Sequence, residues 1–180
     1  MRITISGPPG SGKTTVCMLL AQRLGAECLV SGTVFREMAK ESNLSLAEFG
    51  KLAENDPKYD RIVDESMLSR ALALQNVVVE GRLTGHLLSK KDPSAFKVYL
   101  DAAPNARAER IKERENEDIQ RIKDEMLERE NCEARRYKQY YGIDINDKSV
   151  YDLVVDSSHR TPEQVVDLIM KKLEVWPRRA

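Results

Sequence analysis

The sequence predicts a three-layer α/β/α fold built on a five-stranded parallel sheet, and three observations carry that prediction. Five short β-type runs, at residues 2–6, 27–30, 77–80, 96–100 and 153–155, alternate with segments of helical periodicity. The first run leads straight into a glycine-rich turn that opens a helix, the strand–loop–helix arrangement of a phosphate site. The last helix carries its own start signal, Thr161-Pro162-Glu163-Gln164, a capping box with proline at the first helical position.

Taken in order, residues 2–6 form the first strand, and residues 7–14 read Gly-Pro-Pro-Gly-Ser-Gly-Lys-Thr, a complete G-x-x-x-x-G-K-[ST] loop. Gly7, Gly10 and Gly12 let the backbone turn with its N–H groups inward, and Pro8, Pro9, Ser11 and Thr15 complete the cradle. The N–H array and the helix start at Lys13 together suit the β-phosphate of a nucleotide. Lys13 can reach the β- and γ-phosphates, and the Thr14 hydroxyl can ligate Mg²⁺. Val16, Leu19, Leu20 and Leu24 then recur at helical spacing until Gly25 stops the helix. After the second strand, residues 31–74 leave the alternation as several short helices, with a capping box at Ser45-Leu46-Ala47-Glu48 and a break at Asp56-Pro57. Residues 107–141 form a second departure, rich in charges of both signs whose three- and four-residue spacing also suits a solvated helix face. Both stretches follow strand C-terminal ends, where ligands bind in open α/β sheets. Val165, Val166, Leu168, Ile169 and Leu173 follow in the final helix.

Composition bounds the class. A chain of 180 residues suits one domain with a core of its own. Lys+Arg and Asp+Glu both number 29, so no global basic field draws the chain onto nucleic acid or an anionic membrane. Cys17, Cys28 and Cys132 are scattered with no C-x-x-C pair, which argues against structural zinc and a disulfide framework; they read as small hydrophobes, or for Cys132 as a helix-surface thiol. The apolar runs are only strand length, so neither a membrane span nor a signal segment is expected. A cytoplasmic monomer is the plain expectation.

Phosphoryl transfer needs phosphates held in line, metal and positive charge, so arginines beside glycine at strand ends are informative. Ser31-Gly32-Thr33-Val34-Phe35-Arg36 follows the second strand and places Arg36 on the first turn of the next helix, where it serves either a ligand phosphate or a surface ion pair. Val77-Val78-Val79-Glu80-Gly81-Arg82 ends an apolar strand in a carboxylate, a glycine and an arginine at the edge where the phosphate loop opens. Glu80 can organise Mg²⁺ through water or orient Arg82, which can fork onto a phosphate. His86, inside an apolar stretch, and His159, in a loop before a capped helix, suit structural roles.

These residues resemble the nucleoside monophosphate kinases and, among them, the cytidylate kinases of the short archaeal type. The resemblance spans almost the whole chain. Its carriers are the loop, Ser31-Gly32 with Arg36, Val79-Glu80-Gly81-Arg82, and Arg129-Glu130-Asn131-Cys132-Glu133-Ala134-Arg135-Arg136-Tyr137, which is similar to an R-D-x-x-D-x-x-R lid motif with glutamate replacing both aspartates. Tyr141-Gly142-Ile143-Asp144 and Asp152-Leu153-Val154-Val155-Asp156-Ser157-Ser158 share it. The resemblance implies an adenylate-kinase-like fold: a core of residues 1–30, 75–117 and 137–180, an acceptor-binding insertion at about 31–74 and a helical lid at about 118–136. It implies ATP and Mg²⁺ on the loop and CMP or dCMP as acceptor. Ser31, Gly32, Arg36, Gly81 and Arg82 would hold the acceptor phosphate, and Arg129 and Arg136 would descend from the lid onto the transferring group. Glu133 would meet the acceptor's sugar hydroxyls, although Arg129–Glu133 and Glu133–Arg136 also read as simple helix pairs. Arg110 and Arg114 match positions set against the donor, and Arg160 lies where related kinases pack the adenine.

The sequence departs from the bacterial pattern at Leu83, where an aspartate helps read the base, and in its short insertion. Another small P-loop kinase, such as an adenylate kinase or a kinase of a small metabolite, therefore stays open. So does an ATP-dependent switch or assembly factor; a GTPase does not, because no N-K-x-D motif follows the loop.

Overall fold

The five strands are β1 (Arg2–Ser6), β2 (Glu27–Val30), β3 (Val77–Glu80), β4 (Phe96–Asp101) and β5 (Leu153–Asp156), and they pair in parallel throughout in the order β2-β3-β1-β4-β5. β4 and β5 each run one residue past the expected end, because the ladder continues through the pair Asp101 and Asp156 at the polar rim. The computed structural model describes residues 1–115 and 118–177, with the side chains of 46, 47, 50, 51, 54, 114 and 115 outside the description.

Eight helices complete the described chain: α1 (Lys13–Leu24), α2 (Ser31–Glu41), α3 (Leu46–Asn55), α4 (Pro57–Ala73), α5 (Thr84–Lys91), α6 (Pro104–Glu115), α7 (Ile119–Tyr141) and α8 (Pro162–Glu174). Their ends follow local chemistry. Gly25, at φ 58°, closes α1 by donating its N–H to Ala21 and Gln22 carbonyls. The Ser45 and Thr161 boxes form as expected, each hydroxyl accepting from the backbone N–H three residues on. Asp56 caps α4 and Pro57 starts it, and this helix runs for 17 residues rather than as another short piece. Asp118 caps α7, which continues without a break for 23 residues to a left-handed Gly142.

The core has two sides. Ile3, Ile5, Val98 and Leu100 of the sheet face Val16 and Leu20 of α1 and Val165, Val166 and Ile169 of α8, all essentially buried. Val77 and Val79 point the other way, against Val34 of α2 and Val63, Met67 and Ala71 of α4. Each fully buried aliphatic side chain contributes about 1.5–3 kcal/mol, so both faces of β3 are fixed by burial. The insertion thus rests on the sheet itself, while α6 and α7 close a smaller cluster of Ala108, Ile111, Ile122 and Met126. Because β1 connects toward β2 on one side while the chain from β3 passes over β1 to β4, the strand order reverses at β1 and opens a crevice there. Among the described residues, no helix is long and apolar enough to cross a membrane.

The packing of α5 leaves no room at Gly85. A Cβ there would lie 2.4 Å from Tyr151 Cε1, on a ring that also stacks edge-on against His86 at 5.5 Å. An open helix position gains up to about 1 kcal/mol from glycine to alanine; here overpacking reverses the sign. Gly85→Ala should lose about 2 kcal/mol in chemical denaturation, and the double change Gly85→Ala with Tyr151→Leu should recover most of it.

Candidate active site

The phosphate loop is held by close backbone approaches on both sides. Gly7 (φ +150°) lies so near β4 that a Cβ would sit 2.1 Å from the Leu100 carbonyl oxygen, and at Gly10 (φ +74°) one would sit 2.7 Å from that of Arg107. Gly12 (φ +89°) occupies the cap position of α1 with no side chain to cover the first-turn N–H groups, which leaves them for an anion. Lys13 is 9 % exposed, and its Nζ donates to the Pro8 carbonyl at 2.8 Å, across the loop. Burial, reinforced by the positive charge of Arg82, pulls its pKa down to about 7. A polyanion in the loop would raise it again.

Below the loop, Thr14 Oγ1 donates to Glu80 Oε2 at 3.4 Å, joining the start of α1 to the end of β3. Two hard oxygen donors at this spacing fit Mg²⁺ held by one hydroxyl, one carboxylate through water and substrate phosphates. Among the described residues no group of three or more His, Cys, Asp or Glu gathers to hold a metal ion.

Arg82 links the two halves of the crevice. Its Nη1 donates to the Gly7 carbonyl at 2.7 Å, and its Nη2 lies 2.8 Å from Glu133 Oε2 of α7. Glu133 also receives Arg129 Nε at 3.0 Å. Burial resists ionisation of Glu133, but Arg82 and Arg129 outweigh it and hold the carboxyl below its usual range. Arg107, 6 % exposed, donates to the Ala102 and Pro9 carbonyls and pairs with Glu130 of α7. Arg110 donates to Gly10 O and to the hydroxyl and carbonyl of Ser157, tying the loop to the turn after β5. Beside these groups opens a cavity of about 340 Å³, large enough for one nucleotide, with Gly7, Arg82, Tyr99, Arg107, Glu133 and Lys148 on its walls.

The expected residues divide accordingly. Residues of the loop, Glu80, Arg82, Arg110 and Glu133 converge on the crevice, and Gly81, between Glu80 and Arg82, is packed so closely that a Cβ would meet Thr84 Cγ2 at 2.8 Å and Ser31 Oγ at 2.9 Å. Arg36 does not converge. It falls on the second turn of α2 rather than the first, because the helix begins at Ser31, and its exposed guanidinium donates to Thr33 Oγ1 at 3.2 Å. Gly32 sits close behind it, its Cβ position 3.4 Å from Arg36 Nη1. Arg129 is exposed beyond its bond to Glu133, whereas Arg136 turns to the insertion, its Nε 2.5 Å from Asp60 Oδ2 of α4. The two lid arginines therefore do not point to one spot, and the expected Glu133–Arg136 helix pair gives way to this longer-range one. Leu83 is buried with Tyr137 and Ile143, unable to read a base. His86 is a buried ring against Tyr151, and Arg160 donates to the Asp156 carbonyl. The side chain of Arg114 lies outside the described residues. The cysteines are less scattered than their spacing suggests, since the sulfur atoms of Cys17 and Cys28 lie 2.9 Å apart.

Sequence reasoning missed Arg107, although the signal used for Arg36 and Arg82, an arginine just past a strand end, applies equally to it on the first turn of α6. Asp60 carried no such signal.

The chain matches a family model, curated relatives and solved structures. The model of the cytidylate kinase-like family matches residues 2–159. A cytidylate kinase of Archaeoglobus fulgidus is 42 % identical over 97 % of this chain and 96 % of its own, and one of Methanoregula boonei is 48 % identical over 88 % and 86 %. Among solved structures, a shikimate kinase from Bacteroides thetaiotaomicron superposes with a TM-score of 0.65 at 16 % identity, covering 97 % of this chain and 99 % of that one. That last likeness is one of fold.

Next to Asp60, Asp64 of α4 accepts a hydrogen bond from Tyr141 Oη at 2.6 Å. Burial raises the Asp64 carboxyl to about 7, against the opposing effect of that hydrogen bond. A carboxyl whose folded pKa exceeds its unfolded value, 3.8, adds stability that is fully present below pH 3.8 and is lost as pH rises through 7. The stability of the wild type relative to Asp64→Asn should therefore fall by on the order of 1 kcal/mol per pH unit between pH 4 and 7 and level off above. A difference between the two proteins that stays constant with pH in urea titrations would place the Asp64 pKa at its ordinary value.

Proposed function

The chain belongs to the cytidylate kinase-like family, and from that premise we propose that it transfers the γ-phosphoryl group of ATP to CMP or dCMP, giving ADP and CDP or dCDP. The observation that supports this reading most directly is the placement of Arg82, one guanidinium touching both the phosphate loop and the carboxylate of α7. A cation shared between the donor cradle and a second wall suits two phosphates brought together, not one held alone.

In this reading the loop N–H groups and Lys13 take the β- and γ-phosphates of ATP, and Thr14 with Glu80, the latter through water, would hold Mg²⁺. The metal, when bound, supplies neutralisation of charge on the phosphate oxygens. Arg82 takes the acceptor phosphate, and Ser31, Gly32, Gly81 and Arg36 complete its site once α2 swings inward. No protein nucleophile or general base is needed, because the attacking oxygen of a monophosphate is already anionic. Arg129 and Arg136 exchange Glu133 and Asp60 for the migrating group, freeing Glu133 for the acceptor's sugar hydroxyls. Arg110 keeps the loop and the Ser157 turn aligned for the donor. Closure over both substrates excludes water and suppresses idle ATP hydrolysis. The enzyme acts as a cytoplasmic monomer.

An ADP-release assay with CMP, dCMP, UMP, AMP and shikimate tests the assignment: CMP or dCMP should lead, and equal or better kcat/KM with AMP, UMP or shikimate would sink it. Arg82→Ala should lower kcat/KM for the acceptor by roughly 10²–10³-fold, as removal of a preorganised charge stabiliser does, while the Kd for ATP changes only a few-fold. Intact acceptor kinetics in this variant would remove Arg82 from the site.

A further inference from the structure

The kinase reading leaves unused the two thiols that the fold brings together away from the crevice. Cys17 lies on α1 and Cys28 on β2, 11 residues apart in sequence, with their sulfur atoms 2.9 Å from each other. A disulfide bond is about 2.05 Å long, so closing one here asks each sulfur to move by about half an ångström. The two thiols differ in access. Cys17 is fully buried, its Sγ also 3.5 Å from the Val78 carbonyl oxygen, whereas Cys28 is only partly buried on the edge strand of the sheet. That asymmetry is the arrangement of an attacking thiol backed by a resolving one.

We propose that Cys17 and Cys28 form a thiol-oxidation site at which a peroxide closes a reversible intramolecular disulfide between α1 and β2. In the first step Cys28 sulfur attacks one oxygen of hydrogen peroxide, the O–O bond breaks, and the departing hydroxide takes the Cys28 proton to leave as water, giving a Cys28 sulfenic acid. In the second, Cys17 sulfur attacks Cys28 sulfur, the S–O bond breaks, and the leaving hydroxide takes the Cys17 proton as a second water. Two electrons pass from the thiols to the peroxide. The contact favours this direction, since hydrogen bonding between the two sulfurs lowers the pKa of Cys28, while that contact and then burial raise the pKa of Cys17.

The consequence for activity rests on the kinase reading above. Cys17 lies one turn beyond Lys13 and Thr14, and Cys28 three residues before Ser31, where the chain enters the insertion. A bridge between them joins the helix that holds the donor to the strand that carries the acceptor elements, and so restrains the entry to α2.

The test uses the reduced full-length protein in a Cys132→Ser background, treated with hydrogen peroxide and then analysed by intact mass and by alkylation under denaturing conditions. The expected product is a monomer lighter by two hydrogens, with Cys17 and Cys28 both protected from alkylation and both restored by dithiothreitol. Cys28→Ser in the same background should show no such loss. Accumulation of sulfinic acid on Cys28 with Cys17 still open to alkylation, or a disulfide between two molecules, would overturn the site. These readouts need no substrate, so they stand apart from the kinase assignment. In the coupled arm, oxidised protein should turn over CMP at least threefold more slowly and recover on reduction; a bridged protein with unchanged turnover would overturn the restraint on the insertion.

Discussion

Positive charge crowded at one edge of the sheet is the constraint around which the rest of the molecule is arranged. Lys13, Arg82, Arg107 and Arg110 all reach the rim of β1, β3 and β4 because that rim must attract phosphates. Without phosphates they repel one another, and an unpaired cation in so sheltered a place costs several kcal/mol. The relief comes from carboxylates on elements outside the sheet: Glu133 and Glu130 from α7 answer Arg82 and Arg107, and Asp60 from α4 answers Arg136. Lys13 donates to a carbonyl, and its pKa is lowered first by burial and then by Arg82, with Glu80 and Glu133 opposing the shift only in part. The same charges that make a phosphate site thus decide where the insertion and α7 rest when the site is free of ligand.

Much of this was legible in the chain. Strand positions were readable because a parallel strand covered on both faces is a short uninterrupted apolar run, as Val77-Val78-Val79 is, and its limits are set by the polar rim. The loop was readable because three glycines at fixed offsets answer to three separate needs: close approach to β4 at Gly7, close approach to α6 at Gly10 and a bare helix start at Gly12. Helix starts were readable because caps are local chemistry, spanning three residues at Ser45 and Thr161.

What stayed hidden was long-range pairing. Arg136 has one carboxylate within a helical turn, Glu133, and nothing in its surroundings announces that its partner lies on α4. The approach of Cys17 and Cys28 is equally silent, since it depends on the angle at which α1 returns along the sheet rather than on any spacing. Arg36 was placed correctly in sequence and one turn out in space, because the helix began at Ser31, where the strand ends, with no cap to mark it. Such features belong to the packing of elements, and a sequence states them only through the side chains that happen to meet.

The unbroken course of α7 has a mechanical meaning. At 1.5 Å per residue its 23 residues make a rod about 35 Å long, with no proline, glycine or left-handed residue before Gly142 at which it could bend. Such a rod can only tilt. In the closure proposed above, a descent of the Arg129 end toward a bound phosphate would swing the far end the opposite way, pulling Tyr141 from Asp64 and carrying the turn at Gly142 with it. The pivot would then lie between those points, near Tyr137, which packs against Leu83 and Ile143. A stiff helix makes closure at one end and release at the other a single movement.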